Sequence, residues 1–325
     1  MKNLFYCSFI IVLLFTSYII TPSSFAQSDV LSPLAQLRQG VALDKIVCAD
    51  GLELIMKKSD GKPACVRPQT VSILIERGWG EHVLPSIVED KEQNSEIFER
   101  GSFETTGQTV SYFEDAVGFL ARPTEQGNFP GVIMIHEWWG LNYNIKEMAS
   151  SLASHGYVVL AADLYAGQVA TTPEGARQLV TTFDSQKGIE NLGSAAQFLR
   201  DEDVEKLATI GWCFGGTQSF NYALSGDKLD ATIIYYGRVS ANATELAKIE
   251  WPVLGIFGEL DTGIPKESVM GFESALDELG IQNEIYIYPG VDHAFTNPSG
   301  AAYAPEETKD AWQKTVSFLD EYLKI

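Results

Sequence analysis

The chain reads as an α/β protein built on a doubly wound, mostly parallel sheet, with a small disulfide-closed module at its N-terminal side. Two observations predict this. Apolar runs of strand length recur near 109–121, 131–136, 157–162, 207–212, 231–236, 252–257 and 284–288. Segments of helical period alternate with them near 143–155, 187–200, 214–225, 266–279 and 305–323, the last carrying Trp312, Val316, Leu319 and Leu323 on one stripe. Alternating strands and helices build a parallel sheet covered on both faces. A ligand site on such a sheet lies beyond the carboxyl ends of its strands.

In chain order, Met1-Lys2-Asn3 precedes an uncharged stretch from Leu4 to Ile20 and then Ser24-Phe25-Ala26. A basic start, an apolar core and a small-x-small site form a secretory signal over residues 1–26, with Gln27 first in the mature chain. The expected location is secreted or extracytoplasmic. The alternative is an uncleaved anchor at residues 4–20, so a membrane is a partner only if the segment is retained. Residues 32–80 form the small module, read as a helix, a hairpin closed by a disulfide and a final helix. Cys7 leaves with the signal, so Cys48, Cys65 and Cys213 remain. A local Cys48–Cys65 bridge and one free thiol account for them. A Cys48/Cys65 metal site would compete, but no His lies between or near them. A core of this size needs its bridge. The phrases Cys48-Ala49-Asp50-Gly51-Leu52-Glu53-Leu54 and Pro63-Ala64-Cys65-Val66, with Leu74-Ile75-Glu76-Arg77-Gly78-Trp79, resemble a short module of secreted and surface proteins. That resemblance names no partner for it. Residues 81–104 are expected to be an acidic linker, typified by Glu89-Asp90-Lys91-Glu92-Gln93-Asn94-Ser95-Glu96.

Residues 105–325 carry the chemistry. The strand Ala208-Thr209-Ile210 breaks into Gly211-Trp212-Cys213-Phe214-Gly215-Gly216 and then into a helical pattern. A nucleophile turn of the α/β-hydrolase kind needs small residues two before and two after the nucleophile, and Gly211 and Gly215 meet that need. Such a turn aims the Phe214 amide at a developing oxyanion. A buried Cys packed behind a strand is the other reading of the motif alone. A nucleophile needs a base and a group that orients it, and in this fold they follow as acid and then His. The strand at 252–257 ends in Gly258-Glu259-Leu260-Asp261, and the strand at 284–288 ends in Pro289-Gly290-Val291-Asp292-His293. Asp261 could equally be a turn former before Thr262-Gly263, and Asp292 reads as a loop residue. Of the four His, His82 and His155 read as surface residues.

Several motifs now agree in order: His136-Glu137-Trp138-Trp139-Gly140-Leu141-Asn142, Ala162-Asp163-Leu164-Tyr165, the Cys213 turn, Tyr235-Tyr236-Gly237, Gly258 to Asp261, and Gly290-Val291-Asp292-His293-Ala294-Phe295. Over about 220 residues this chain resembles the dienelactone hydrolase family. The resemblance implies a Cys213-His293-Asp261 triad, with Glu137 contacting the thiol and sharing in its activation. It also implies that the Trp138 amide is the second oxyanion donor. No cofactor or metal is expected. The thiolate is the nucleophile of such chemistry, and an ordinary Cys is mostly protonated at neutral pH, so a carboxylate that takes its proton makes physical sense. Flanked by Trp138 and Trp139, Glu137 fits poorly as a solvated loop residue.

Two departures bear on the substrate. Family members hold a substrate carboxylate with arginines, and Asn297 stands where one of them would follow the His. Arg177 is the candidate for the other, its alternative being an exposed helix residue. Loss of a bidentate clamp predicts a different or broader substrate. A small-molecule ester, lactone or thioester of aromatic or apolar character is therefore expected, facing Trp138, Trp139, Phe214 and Tyr112. The chain has 43 acidic and 23 basic side chains, a formal charge of −20. Phosphate would be repelled, which argues against a nucleic-acid partner. The rival expectation is a secreted, non-catalytic binding or envelope-associated protein on a hydrolase fold, because fold alone does not establish function.

Overall fold

The computed structural model describes residues 30–38, 41, 46–49, 51–57, 62–82 and 98–324. The signal segment and the acidic run at 89–96 lie outside the described residues. The chain divides into one unit within residues 1–87 and a second within 88–325.

The first unit holds α1 (Pro33–Arg38), β1 (Glu53–Lys57), β2 (Pro63–Val66), α2 (Pro68–Glu76) and β3 (Gly80–His82). Its three strands pair antiparallel in the order β2-β1-β3, with Leu54 opposite Cys65. A disulfide joins Cys48 to Cys65 with their Cα atoms 5.7 Å apart, tying the segment before β1 to the outer strand. The buried Gln36 side chain donates to the carbonyls of Leu31 and Val47 and accepts from the Val47 amide at 2.9 Å. Helix, crosslinked segment and hairpin are as expected; the third strand is additional.

The second unit is an eight-stranded sheet in the order β11-β10-β9-β8-β6-β7-β5-β4. Its strands are β4 (Thr105–Phe113), β5 (Ala116–Pro123), β6 (Gly131–Ile135), β7 (Val158–Ala162), β8 (Leu207–Trp212), β9 (Ala231–Tyr235), β10 (Val253–Gly258) and β11 (Asn283–Tyr288). From β7 to β11 every neighbouring pair is parallel, and β5 runs antiparallel to both β4 and β7. The helices are α3 (Tyr143–Ala153), α4 (Pro173–Thr182), α5 (Ser185–Asp201), α6 (Phe214–Ala223), α7 (Ala243–Leu246), α8 (Lys266–Glu278) and α9 (Pro305–Leu323). β6, β7, β8, β9 and β10 are buried at every position, as strands covered on both faces must be. Two cores result, one gathering Met148, Leu152, Trp312 and Leu319 from α3 and α9, the other Leu192, Leu199, Phe220 and Phe272 from α5, α6 and α8.

The single strand expected at 109–121 is a hairpin. Glu114 and Asp115 turn the chain between β4 and β5, with Glu114 at φ +38° and Phe113 opposite Ala116. Part of the expected linker is also fixed. Phe98 is buried edge-on against Trp312, Ser151 Oγ donates to its carbonyl at 2.7 Å, and the Trp312 indole donates to the Glu99 carbonyl at 3.1 Å. One aromatic anchor thus overrides an acidic surrounding. Among the described residues no helix is long and apolar enough to cross a membrane.

The Cys48–Cys65 crosslink spans 17 residues. Closing a loop of that length stabilises by about 3 kcal/mol in the chain-entropy account. Replacing both cysteines by Ser is therefore expected to lower the stability of the first unit by about that amount and to leave ester turnover unchanged. Hydrogen exchange on residues 30–82, read beside an activity assay, checks both.

Candidate active site

Strand β6 has β7 on one side and β8 on the other, so the strand order reverses there and opens the crevice in which ligands of such sheets bind. Ile135 of β6 pairs with Gly211 of β8, which sets the segments that follow, from His136 and from Cys213, side by side. At the end of β8, Cys213 stands at φ +55° and ψ −113°, a backbone conformation a residue with a Cβ rarely adopts. The flanking glycines permit it. A Cβ at Gly211 would lie 2.2 Å from the Gly215 carbonyl oxygen, and one at Gly215 would lie 2.3 Å from that of Ile135. The Cys213 amide donates to the Tyr235 carbonyl at 3.0 Å, and α6 begins at the next residue.

His293 reaches this turn from the loop after β11. Its Nε2 is 3.1 Å from Cys213 Sγ, and its Nδ1 is 2.6 Å from Asp261 Oδ2. Asp261 is only 3% exposed and uses its other oxygen to accept the amides of Gly263 and Ile264 at 2.8 and 2.9 Å. It is thus both turn former and partner of the His, so the two sequence readings coincide. With Nδ1–H donating to Asp261, Nε2 is the ring nitrogen that exchanges a proton with the thiol, as acceptor when the imidazole is neutral and as donor when it is charged. Burial pulls the His293 pKa down, but hydrogen bonds to Asp261 and Cys213 and the negative charges behind them outweigh it and raise it to about 10. Burial works against the Asp261 carboxylate, yet its bonds to His293 and the two amides hold it below its ordinary value. Exposed Asp292 accepts the His293 amide at 2.7 Å, a loop role.

Glu137 follows β6 and is 8% exposed. Burial raises its pKa to about 7, against the opposing pull of His293, Asn297 and Tyr236. Asn297 Nδ2 donates to Glu137 Oε2 at 2.6 Å. Among the described residues the Glu137 carboxylate is hydrogen-bonded to Asn297 and Tyr236, and the Cys213 thiol to His293. His136 anchors the same loop: its Nδ1 lies 2.6 Å from the Glu137 carbonyl and its Nε2 accepts the Leu164 amide at 3.2 Å. Complete burial pushes its pKa down, so it stays neutral. Among the described residues neither the Trp138 nor the Phe214 amide is taken up by an acceptor within the protein.

A cavity of about 520 Å³ opens over Cys213 and His293, walled by Trp138, Phe214, Phe183, Tyr236 and Arg238 among others. That volume lies within the range of small-molecule sites. Trp138 and Phe214 stand where the sequence put them. Tyr112, Trp139 and Arg177 do not line it. The Tyr112 hydroxyl donates to Asn191 at 2.7 Å and accepts the Asp163 amide, a structural role. Trp139 packs edge-on against Trp138, with ring centres 5.0 Å apart. Arg177 is exposed on α4, where nothing brings it to the cavity. Tyr236, Arg238 and Phe183 went unread as site residues. Tyr236 was visible in the Tyr235-Tyr236-Gly237 phrase, and its ring stands 5.1 Å from that of His293 while its hydroxyl pairs with Thr296 at 2.6 Å.

The profile of the dienelactone hydrolase family matches residues 117–323. The chain belongs to that family. As a dienelactone hydrolase family member it is a carboxylic-ester hydrolase acting on a small molecule. Its relatives include Protein usf of Aquifex pyrophilus, 33% identical over 67% of this chain and 99% of that one. An Aquifex aeolicus protein described as "Putative carboxymethylenebutenolidase" is 30% identical over 67% of this chain and 100% of its own. A Klebsiella pneumoniae crystal structure, reported as "Putative Dienelactone Hydrolase", superposes with a TM-score of 0.62 at 26% identity over 67% of this chain and 100% of that one.

Ionised Glu137 attracts a protonated His293, so losing its proton near pH 7 favours proton transfer from the thiol. The rate constant kcat/KM is expected to climb as pH rises through about 7. In Glu137→Gln that limb should flatten, with a loss of about tenfold at pH 8, the size of one pKa unit of interaction. An unchanged limb in the variant would remove Glu137 from the titration.

Proposed function

We propose that this family member cleaves its ester, lactone or thioester by nucleophilic attack of Cys213. In this reading His293 Nε2 takes the proton from Sγ, and Asp261 orients the imidazole and stabilises it when charged. The thiolate attacks the carbonyl carbon, and the oxyanion settles against the Trp138 and Phe214 amides. Collapse expels the alcohol, which leaves with the proton from His293. A water activated by His293 then attacks the thioester, releasing the acid and restoring the thiol. The observation that carries the proposal is the continuous chain Sγ, Nε2, Nδ1, Oδ2, with contacts of 3.1 and 2.6 Å, at the floor of the cavity.

Arg238 refines the substrate. It is the one Lys or Arg in the cavity lining, it is exposed, and among the described residues its guanidinium has no ion-pair partner. In a chain of net charge −20, an uncommitted cation beside the nucleophile favours an ester that carries an acidic group. The aromatic walls favour an apolar or aryl body. We also propose that the enzyme acts outside the cytoplasm. The uncharged run at Leu4 to Ile20, with its small-x-small end, supports this, as does the Cys48–Cys65 disulfide.

Turnover of aryl esters, lactones and a dienelactone by the mature chain tests the reading. Cys213→Ala and His293→Ala are expected to lose at least about a thousandfold in kcat/KM with unchanged thermal melts, and Cys213→Ser to lose most activity. Retained turnover in Cys213→Ala sinks the nucleophile assignment. For Arg238→Gln, KM is expected to rise about tenfold for a carboxylate-bearing ester, the worth of one charge-assisted contact. KM for the neutral methyl ester should stay unchanged. Equal effects on both esters would dismiss Arg238 as the anion contact.

A further inference from the structure

A second cavity of about 290 Å³ is bordered by the β4–β5 turn, the segment after β7, and helices α4 and α5. Phe183 lines both cavities. Its ring packs edge-on to Phe214, with centres 4.8 Å apart at 85°, and edge-on to Tyr165 at 6.2 Å. The ring sits on Gly188, where a Cβ would come within 2.3 Å of its Cζ. Phe183 is the residue that closes α4, at φ −66° and ψ 127°, and α5 starts two residues later, so the ring hangs from an extended joint between two helices. Tyr165, in the wall of the second cavity, keeps a buried hydroxyl with no hydrogen-bond partner among the described residues.

We propose that the second cavity is a distal subsite for the longer apolar arm of the ester, and that Phe183 is the specificity-determining residue that sets how far the arm reaches. This rests on the reading of Cys213 as the nucleophile. The first cavity holds the scissile group beside Cys213. The second has an apolar side of Phe113, Leu164, Leu179 and Phe183, which takes the apolar arm, and a polar side that includes Glu114, Asp115, Asp184 and Lys187. In the parent chain the ring restricts passage of the arm into the second cavity, so a smaller side chain at 183 favours medium-chain and extended aryl arms and a larger one disfavours them.

The test is a series of 4-nitrophenyl esters from acetate to decanoate, turned over by the full chain and by Phe183→Ala and Phe183→Trp, each with a Cys213→Ala blank subtracted. Phe183→Ala joins the two spaces, and the octanoate-to-acetate ratio of kcat/KM is expected to rise about tenfold over that of the parent chain. Phe183→Trp enlarges the partition without opening a void and is expected to lower the same ratio by about tenfold. It decides the matter should the alanine variant melt early. A ratio that stays within about twofold of the parent's in a folded variant, with turnover still dependent on Cys213, overturns the subsite and leaves the nucleophile standing. Turnover that survives Cys213→Ala fails the nucleophile reading instead and removes the ground of the subsite with it.

Discussion

The close approach of backbone to backbone at the turn between β8 and α6 is the constraint on which the rest of this site depends. Gly215 lies so near β6 that a Cβ there would meet the carbonyl oxygens of both Ile135 and His136, at 2.3 and 2.5 Å. A single packing contact therefore fixes two loops against each other: the one that carries Cys213 and Phe214 and the one that carries Glu137 and Trp138. Their amides come from neighbouring strands, and their spacing is set by the sheet register of Ile135 with Gly211. Cys213 bears the cost of this arrangement in its left-handed φ, a strain of about 1–3 kcal/mol that only a well-packed surrounding can hold. Here that surrounding is the interior of two cores packed to either face of the sheet.

The electrostatics follow from how each ionisable group is buried and with whom. Four of them crowd the strand ends, and each is driven a different way. Asp261 has two amides and an imidazole and stays ionised despite burial. His293, between a carboxylate and a sulfur, is held towards its charged form, whereas His136, buried between a carbonyl and an amide, is held neutral. Glu137 meets burial with only neutral hydrogen-bond partners beside it, and its proton is held to about pH 7. Environments that separate the titrations of like groups are how one small space supplies both acid and base.

The architecture was legible because its signals are local. Strands such as 131–136, 207–212 and 231–236 fall within one residue of β6, β8 and β9, since uninterrupted apolar runs bounded by breakers leave little choice. The hairpin at Glu114-Asp115 was hidden in a run with apolar residues on both sides of two polar ones. Helix α4 buries only Ala176 among its described residues, so it has almost no periodic stripe, although Thr172 before Pro173 is a start signal and does cap the helix through the Gly175 amide. In the site, Cys213, Asp261 and His293 were readable from order and spacing alone, because each sits directly past a strand. The cavity walls were not. Phe183, Tyr236 and Arg238 come from a helix joint and from the segment after β9, and nothing in a linear reading tells which arginine, Arg177 or Arg238, folds towards the thiol. Charge and residue type point to a function; only packing says which copy performs it.

The place of Asn297 ties these threads together. A guanidinium at that position would hold Glu137 ionised well below neutrality, as a charge partner does for any buried carboxylate. An amide makes the same short contact, 2.6 Å, without the charge. Burial then dominates, and Glu137 gains a titration in the neutral range that an arginine would have suppressed. The positive charge absent from the His loop is present elsewhere in the cavity, on exposed Arg238, which leaves Glu137 free of it. In the reading proposed above, anion recognition falls to Arg238 on the segment after β9, while the protonation of Glu137 is set by its burial beside Asn297.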